Sequence, residues 1–148
     1  MEALVIHDDR EVPVRLLKLL RVFVSYRVSC PFCIDLNGQN HRDQGLTDDE
    51  LKALASPTGY QTEGSFSASE KAALAYAACL TATPVRFPEA VITAMKAHYS
   101  DRAFTLIAAT CAQVNLWARL IQGLGVSEAG FAAEPQLLEL DQFRTRQP

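Results

Sequence analysis

No stretch of this sequence alternates apolar and polar residues for as long as a half-buried strand requires. Apolar residues recur instead at spacings of three and four, a regularity that restricts the chain to packed helices. Leu16, Leu17, Leu20, Phe23 and Val24 give a helix over about 14–28. Thr47-Asp48-Asp49-Glu50 and Ser67-Ala68-Ser69-Glu70 have capping-box spacing and open helices reaching about Ala55 and Leu80. Glu89 to Ala97 forms a short helix after Pro84 and Pro88. Ser100 caps a long one from about Asp101 to Gln122, striped by Phe104, Ile107, Cys111, Val114, Trp117 and Ile121. Between these, Pro57, Gly59 and Gly64 mark 56–65 as loop. The predicted fold class is all-α: one helical domain over 14–126, an N-terminal arm at 1–13, and a C-terminal tail at 127–148 with a helical turn at Gln136 to Phe143. The helix over 68–80 is apolar almost all round, which places it in the middle of a bundle or against a neighbouring subunit. A homo-oligomer is therefore expected.

Composition narrows the function. With 148 residues, 49% apolar and 21% charged, the chain can bury one proper core. A net charge of −3 without a basic stripe argues against nucleic acid as a partner. Met1 to Asp9 is acidic and lacks the apolar region of a secretory leader, and no uninterrupted apolar run approaches the roughly 20 residues of a membrane span. The expectation is a cytoplasmic protein with no membrane partner. In that setting the 4 cysteines do not read as a disulfide scaffold. A structural zinc site needs four ligands; Cys79, Cys111, His41 and His98 are scattered singly, so neither metal nor cofactor is expected.

This leaves Cys30-Pro31-Phe32-Cys33 with a chemical purpose. A helix is predicted from this motif to about Asp43, with Gly45 as its stop. Pro31 suits the first helical position, and Cys30 then falls near the N-cap, facing unpaired backbone N–H groups and the positive end of the helix dipole. Both features favour thiolate. An ordinary cysteine, of pKa about 8.5, is roughly 3% ionised at pH 7; lowering it by about 1.5 units, or about 2 kcal/mol, makes it half ionised. The plainer alternative is a buried, inert pair.

Motif and surroundings together resemble the carboxymuconolactone decarboxylase/AhpD-like alkylhydroperoxidase family. The resemblance rests on Lys18-Leu19-Leu20-Arg21, Ser25 and Cys30 to Asn37, on Phe66 to Leu74, and on Asn115-Leu116-Trp117-Ala118-Arg119. It implies an all-helical fold, assembly as a homo-trimer or homo-hexamer, and reduction of hydroperoxides by the cysteine pair. It also implies that Cys33 attacks peroxide, that Cys30 resolves, and that a dithiol protein re-reduces the disulfide. The positions at which the family places a relaying glutamate and histidine hold Lys18 and Asn37 here. Asn37, four residues after Cys33, shares its helical face and donates hydrogen bonds but takes up no proton near neutral pH. A cation at Lys18 would stabilise a thiolate without relaying protons. The candidate catalytic residues are thus Cys33, Cys30, Lys18 and Asn37, tilted toward disulfide exchange or weak peroxide reduction. The alternative is a non-catalytic oligomeric binding or structural member of the family. Asp35 reads as a solvated or pairing carboxylate, Cys79 and Cys111 as core, Trp117 as a core aromatic beside the cysteines, and Asn115 and Arg119 as packing residues.

Overall fold

The computed structural model describes residues 10–144. The arm expected at 1–13 therefore lies outside the described residues up to residue 9, as do His7 and the acidic start on which the leader argument rested. The described residues form eight α-helices and two short 3-10 turns, with no strand among them.

At the centre lies α1 (Val14–Arg27). Its apolar residues are not confined to one stripe: Leu19 and Val22 are as buried as Leu17 and Phe23. A helix apolar on every side can be satisfied only from every side, and four of the later helices pack on it. The two capping boxes form as expected. Thr47 and Glu50 open α3 (Asp48–Ala55), and Ser67 and Glu70 open α5 (Ala68–Thr81). Between them the expected loop contains a single turn, α4 (Gly59–Thr62), fixed where the Tyr60 ring meets Phe23 edge-on at 5.2 Å. Neighbours of α5 are α1, α6 (Glu89–His98) and α7 (Asp101–Gly123), all in the same chain. Its composition is thus largely used inside the molecule and no longer requires another subunit. Although α7 is long and apolar enough to cross a membrane by length and composition, it buries Ala103, Ile107, Cys111, Val114 and Ala118 against the bundle.

Two expectations need correction. The cysteine-motif helix, α2 (Pro31–Gly38), ends five residues before Asp43. It stops where Gly38 passes beneath Leu138: a Cβ at Gly38 would lie 2.4 Å from Leu138 Cδ2. Asn40 then turns left-handed (φ 52°), Arg42–Gln44 makes a 3-10 turn, and Gly45 (φ 85°) closes it. Nor are residues 127–144, the described part of the expected tail at 127–148, detached from the domain. A 3-10 turn at Pro135–Leu138 and α8 (Asp141–Arg144) bring Leu138, Leu140 and Phe143 into the core. The Tyr26 hydroxyl donates to the Leu138 carbonyl at 3.1 Å, and its ring lies 5.5 Å from that of Phe143. Residues 126–134 thus form a strap running from α7 back over α2.

A buried carboxylate ties α1, α3 and α5 together. Glu50, 2% exposed, accepts from Arg15 at 2.6 and 3.0 Å, from the Ser65 hydroxyl at 2.8 Å and from the Thr47 N–H at 2.9 Å, while Arg15 also reaches Glu70 at 2.7 Å. Burial alone would raise the Glu50 pKa, but Arg15, Thr47 and Ser65 together pull it down to about 2. A carboxyl whose folded pKa is depressed contributes stability above its unfolded pKa of about 4.5 and loses it as pH falls toward 2. Glu50→Ala is expected to cost about 3 kcal/mol at pH 7 and to flatten the stability loss between pH 5 and about 2, measured by urea unfolding across that range. An unchanged acid limb would contradict the assignment.

Candidate functional site

The cysteine pair sits where α1 hands the chain to α2. Cys30 has extended backbone angles (φ −99°, ψ 101°), is the N-cap of α2, and precedes Pro31 at the first helical position. Its N–H donates to the Ser25 carbonyl at 3.2 Å, which fixes the residue against the end of α1. In place of the usual capping oxygen, Cys30 Sγ accepts from the Cys33 N–H at 3.3 Å. The Cys33 thiol also acts on that sulfur. That thiol and the N–H groups of Cys33 and Phe32 push the Cys30 pKa down against the opposing effect of burial. Cys33 moves the other way: the hydrogen bond to Cys30, burial and the neighbouring negative charge all hold its proton on. The two sulfurs are therefore unequal: Cys30 is the one that ionises more readily, and Cys33 the one that keeps its proton.

Both sulfurs are inside the protein. Cys30 is fully buried and Cys33 is 3% exposed, among Val28, Phe32, Ala118 and Ile121. Beside them, between α1, α2 and α7, opens a cleft of about 650 Å³. Phe32, Trp117 and Ile121 wall it toward the start of α2, where Phe32 and Ile121 also cover the cysteines, and Lys18, Arg21 and Gln39 wall it toward the end of α2; neither cysteine is among its lining residues.

Lys18 and Asn37 thus share one cleft, but neither stands as the sequence suggested. Lys18 is 5% exposed, not solvated, and its ammonium donates to the Gln39 carbonyl at 2.5 Å. Gln39 is the C-cap of α2, so this cation complements the negative end of that helix, eight or nine residues (about 12–14 Å) from Cys30. It is no part of what depresses Cys30. Asn37 Nδ2 donates to the Ser25 hydroxyl at 3.0 Å, and that hydroxyl donates to the Arg21 carbonyl at 2.7 Å. Asn37 therefore braces α2 against α1, and Ser25, fully buried, positions both the cysteine turn and Asn37. Tyr26 faces the strap, away from the cleft. His41 bonds Asp48 at 2.8 Å on the far side of the turn after α2 and does not approach the cysteines. Asn115 donates to Thr81 and to the Cys111 carbonyl, both at 3.0 Å, and accepts from Arg119 at 2.6 Å, the packing role expected of both residues. Cys111 is buried, which pushes its pKa up to about 12, whereas Cys79 is only partly covered. Among the described residues, no group of three or more His, Cys, Asp or Glu is placed to hold a metal.

Asp35 is the residue whose role the sequence did not disclose. Fully buried two positions after Cys33, its carboxylate accepts four backbone N–H bonds from the strap. Ala129, Gly130 and Phe131 donate to Oδ2 at 3.1, 2.7 and 3.0 Å, and Ala132 donates to Oδ1 at 2.9 Å. Burial opposes ionisation, yet these donors together hold the carboxyl below the usual range. The clasp sets the Phe131 ring edge-on against Phe32, inside the cysteine motif, at 5.6 Å. Gly130, with φ 75°, is the local signal: a left-handed glycine lets successive N–H groups converge on one anion.

No family model matches the chain. It is 28% identical over 122 residues to the uncharacterised protein YnjA of Escherichia coli (strain K12), covering 80% of this chain and 65% of that protein. The chain thus spans just under two thirds of that relative's length. It is 27% identical over 109 residues to the uncharacterised protein YdfG of Bacillus subtilis (strain 168), covering 73% and 72%. Among solved structures, a protein of unknown function from Agrobacterium tumefaciens, described as a candidate antioxidant defence protein AhpD, superposes with a TM-score of 0.71 at 21% identity over 78% of this chain and 77% of that one. The apo debrominase Bmp8 gives 0.75 at 20% identity over 90% and 68%. A cysteine-to-alanine variant of Bmp8 holding 2,3,4-tribromopyrrole gives 0.73 at 19% identity over the same shares. The chain has the AhpD-like helical fold, as the sequence resemblance implied.

Proposed function

We propose that this chain is a thiol-dependent oxidoreductase of the AhpD-like type that reduces hydroperoxides, or exchanges disulfides, through Cys30 and Cys33. The observation that carries this reading is the Cys30 sulfur at the N-cap of α2, accepting from the Cys33 N–H, with the pKa of Cys30 pushed down and that of Cys33 pushed up.

Cys33 is the attacking sulfur, since it alone of the two has any exposed surface and Asn37 lies one turn beyond it. Its proton passes to the Cys30 thiolate as it attacks the peroxide. The O–O bond breaks, Cys33 becomes a sulfenic acid, and the alkoxide leaves as an alcohol with the proton from Cys30. The Cys30 thiolate, formed again, then attacks the Cys33 sulfur and expels hydroxide. Two sulfurs are oxidised to one disulfide and the peroxide is reduced to alcohol plus hydroxide. Cys30 thus supplies internally the proton acceptance for which Lys18 and Asn37 are unsuited. A dithiol reductant protein closes the cycle by exchange.

Peroxide-dependent oxidation followed by mass spectrometry tests this reading. The expected result is loss of two hydrogens across Cys30 and Cys33, reversed by a dithiol. Thiols that survive excess hydroperoxide unchanged would overturn it. Burial of both sulfurs favours the second reading, a non-catalytic oligomeric binding protein, and the same outcome would support that one.

Subunit assembly belongs to the proposal as well. Leu116 and Leu120 on α7 and Leu124 at its C-cap, 62, 47 and 70% exposed, follow one another at i, i+4 and i+8. We assign this stripe, not α5, to contact between copies. Sedimentation should show a trimer or hexamer that Leu120→Glu dissociates; a wild-type monomer would contradict it.

A further inference from the structure

The cleft beside the cysteines is chemically polarised, and the dithiol chemistry alone does not use that. At one end Lys18 and Arg21 stand one turn apart on α1; none of the residues lining the cleft is acidic. At the other, Phe32, Trp117 and Ile121 form an apolar wall, and behind it Phe32 and Ile121 pack against the cysteines. Ser25, whose carbonyl fixes Cys30, lies one turn beyond Arg21 and two beyond Lys18, so the cationic end is about 6–10 Å from the cysteine turn along α1.

We propose that the cleft binds an organic anion end-on, its carboxylate at Lys18 and Arg21 and its medium-length apolar body along Trp117 and Ile121, with the distal end presented to Cys33. Burial and the neighbouring Arg21 charge push the Lys18 pKa down to about 8, so the resting site holds a cation that its surroundings disfavour and an arriving anion relieves. Retaining such a group against stability is what a binding role demands. Trp117 and Ile121 supply the area that would distinguish an amphipathic acid from a simple anion. The identity of the reacting end rests on the dithiol reading; the binding of the anion does not.

The chain's 1 tryptophan, Trp117, reports occupancy by its fluorescence. Titration with octanoate, whose extended length matches the span, should give a saturable change. Octan-1-ol, with the same body and no charge, and acetate, with the charge and no body, should each bind at least ten-fold more weakly. Lys18→Met should weaken octanoate at least ten-fold while raising the thermal midpoint, and Lys18→Arg should restore binding to within about three-fold. A lysine serving structure alone would lower the midpoint when replaced and leave the octanoate curve in place. Octan-1-ol binding as tightly as octanoate, or Lys18→Met binding octanoate within two-fold of wild type, would overturn the inference. The two proposals fail separately. Octanoate binding to a chain whose thiols never cycle would remove only the dithiol chemistry, whereas turnover of a neutral hydroperoxide without octanoate binding would remove only this site.

Discussion

Cys30→Ser is expected to slow formation of the Cys33 sulfenic acid itself by about 10²–10⁴-fold, and not merely to prevent disulfide closure. The reason is geometric. The neighbouring Cys30 sulfur and burial both push the Cys33 pKa up, so Cys33 becomes a nucleophile only as its proton crosses to that sulfur. Serine preserves the cap, accepting from the Cys33 N–H as Cys30 Sγ does now, but it is no base near neutral pH. Single-turnover trapping of the sulfenic acid with a dimedone-type probe separates the two roles. A resolving cysteine alone predicts that Cys30→Ser accumulates sulfenic acid at the wild-type rate. Proton transfer from Cys33 to Cys30 predicts slow appearance, and a wild-type rate would contradict it.

The second large effect is structural and falls on Asp35. Asp35→Ala is expected to destabilise the fold by about 3–5 kcal/mol, since it removes a buried carboxylate to which four backbone N–H groups are bonded. For a chain of this size that corresponds to a thermal midpoint lower by about 10 °C or more. The strap should loosen before the bundle does. Its anchors on the bundle include Asp35, the Phe131–Phe32 contact and the Arg42–Glu134 ion pair at 2.6 Å, and just beyond it the Leu138 carbonyl is held by Tyr26. Proteolysis within 126–134 at temperatures where α1 and α7 still resist hydrogen exchange would register that order. Because Phe131 covers Phe32, the same variant should alkylate faster at Cys33. Asp35→Asn keeps one acceptor oxygen and loses the charge, so its cost should be smaller. A variant of wild-type stability would show that solvent supplies those N–H groups equally well.

What the sequence disclosed follows the range over which each interaction acts. Both capping boxes and the Ser100 cap are local exchanges between neighbours in the chain, and they placed α3, α5 and α7 to within a residue or two. Pro31 after Cys30 is equally local and placed the start of α2. Its end was not legible, because Gly38 meets Leu138, one hundred residues further on, and nothing near Gly38 announces that neighbour. Asp35 is the same case in sharper form: its partners are main-chain N–H groups that carry no side-chain signature. Lys18 misled in a different way. The apolar residues on both sides of it announced that α1 was buried all round, and a stripe read from five residues left Lys18 nominally outside it. Its ammonium then had to find a partner within the fold, which it does at Gln39, the wrong end of α2 to act on the thiols. The resemblance gave the fold; which of the two sulfurs ionises more readily came only from seeing which one the N–H groups of α2 address.

All of the chemistry proposed for the pair requires that Cys30 carry a negative charge at neutral pH while Cys33 carries the proton. Thiolate absorbance near 240 nm, followed from acid to pH 9 in wild type and in Cys30→Ser and Cys33→Ser, measures this directly. The prediction is one thiolate equivalent already present at pH 7 in wild type, lost on acidification, retained in Cys33→Ser and absent in Cys30→Ser. Absorbance that rises only above pH 8.5 in all three, as for ordinary buried thiols, would contradict it.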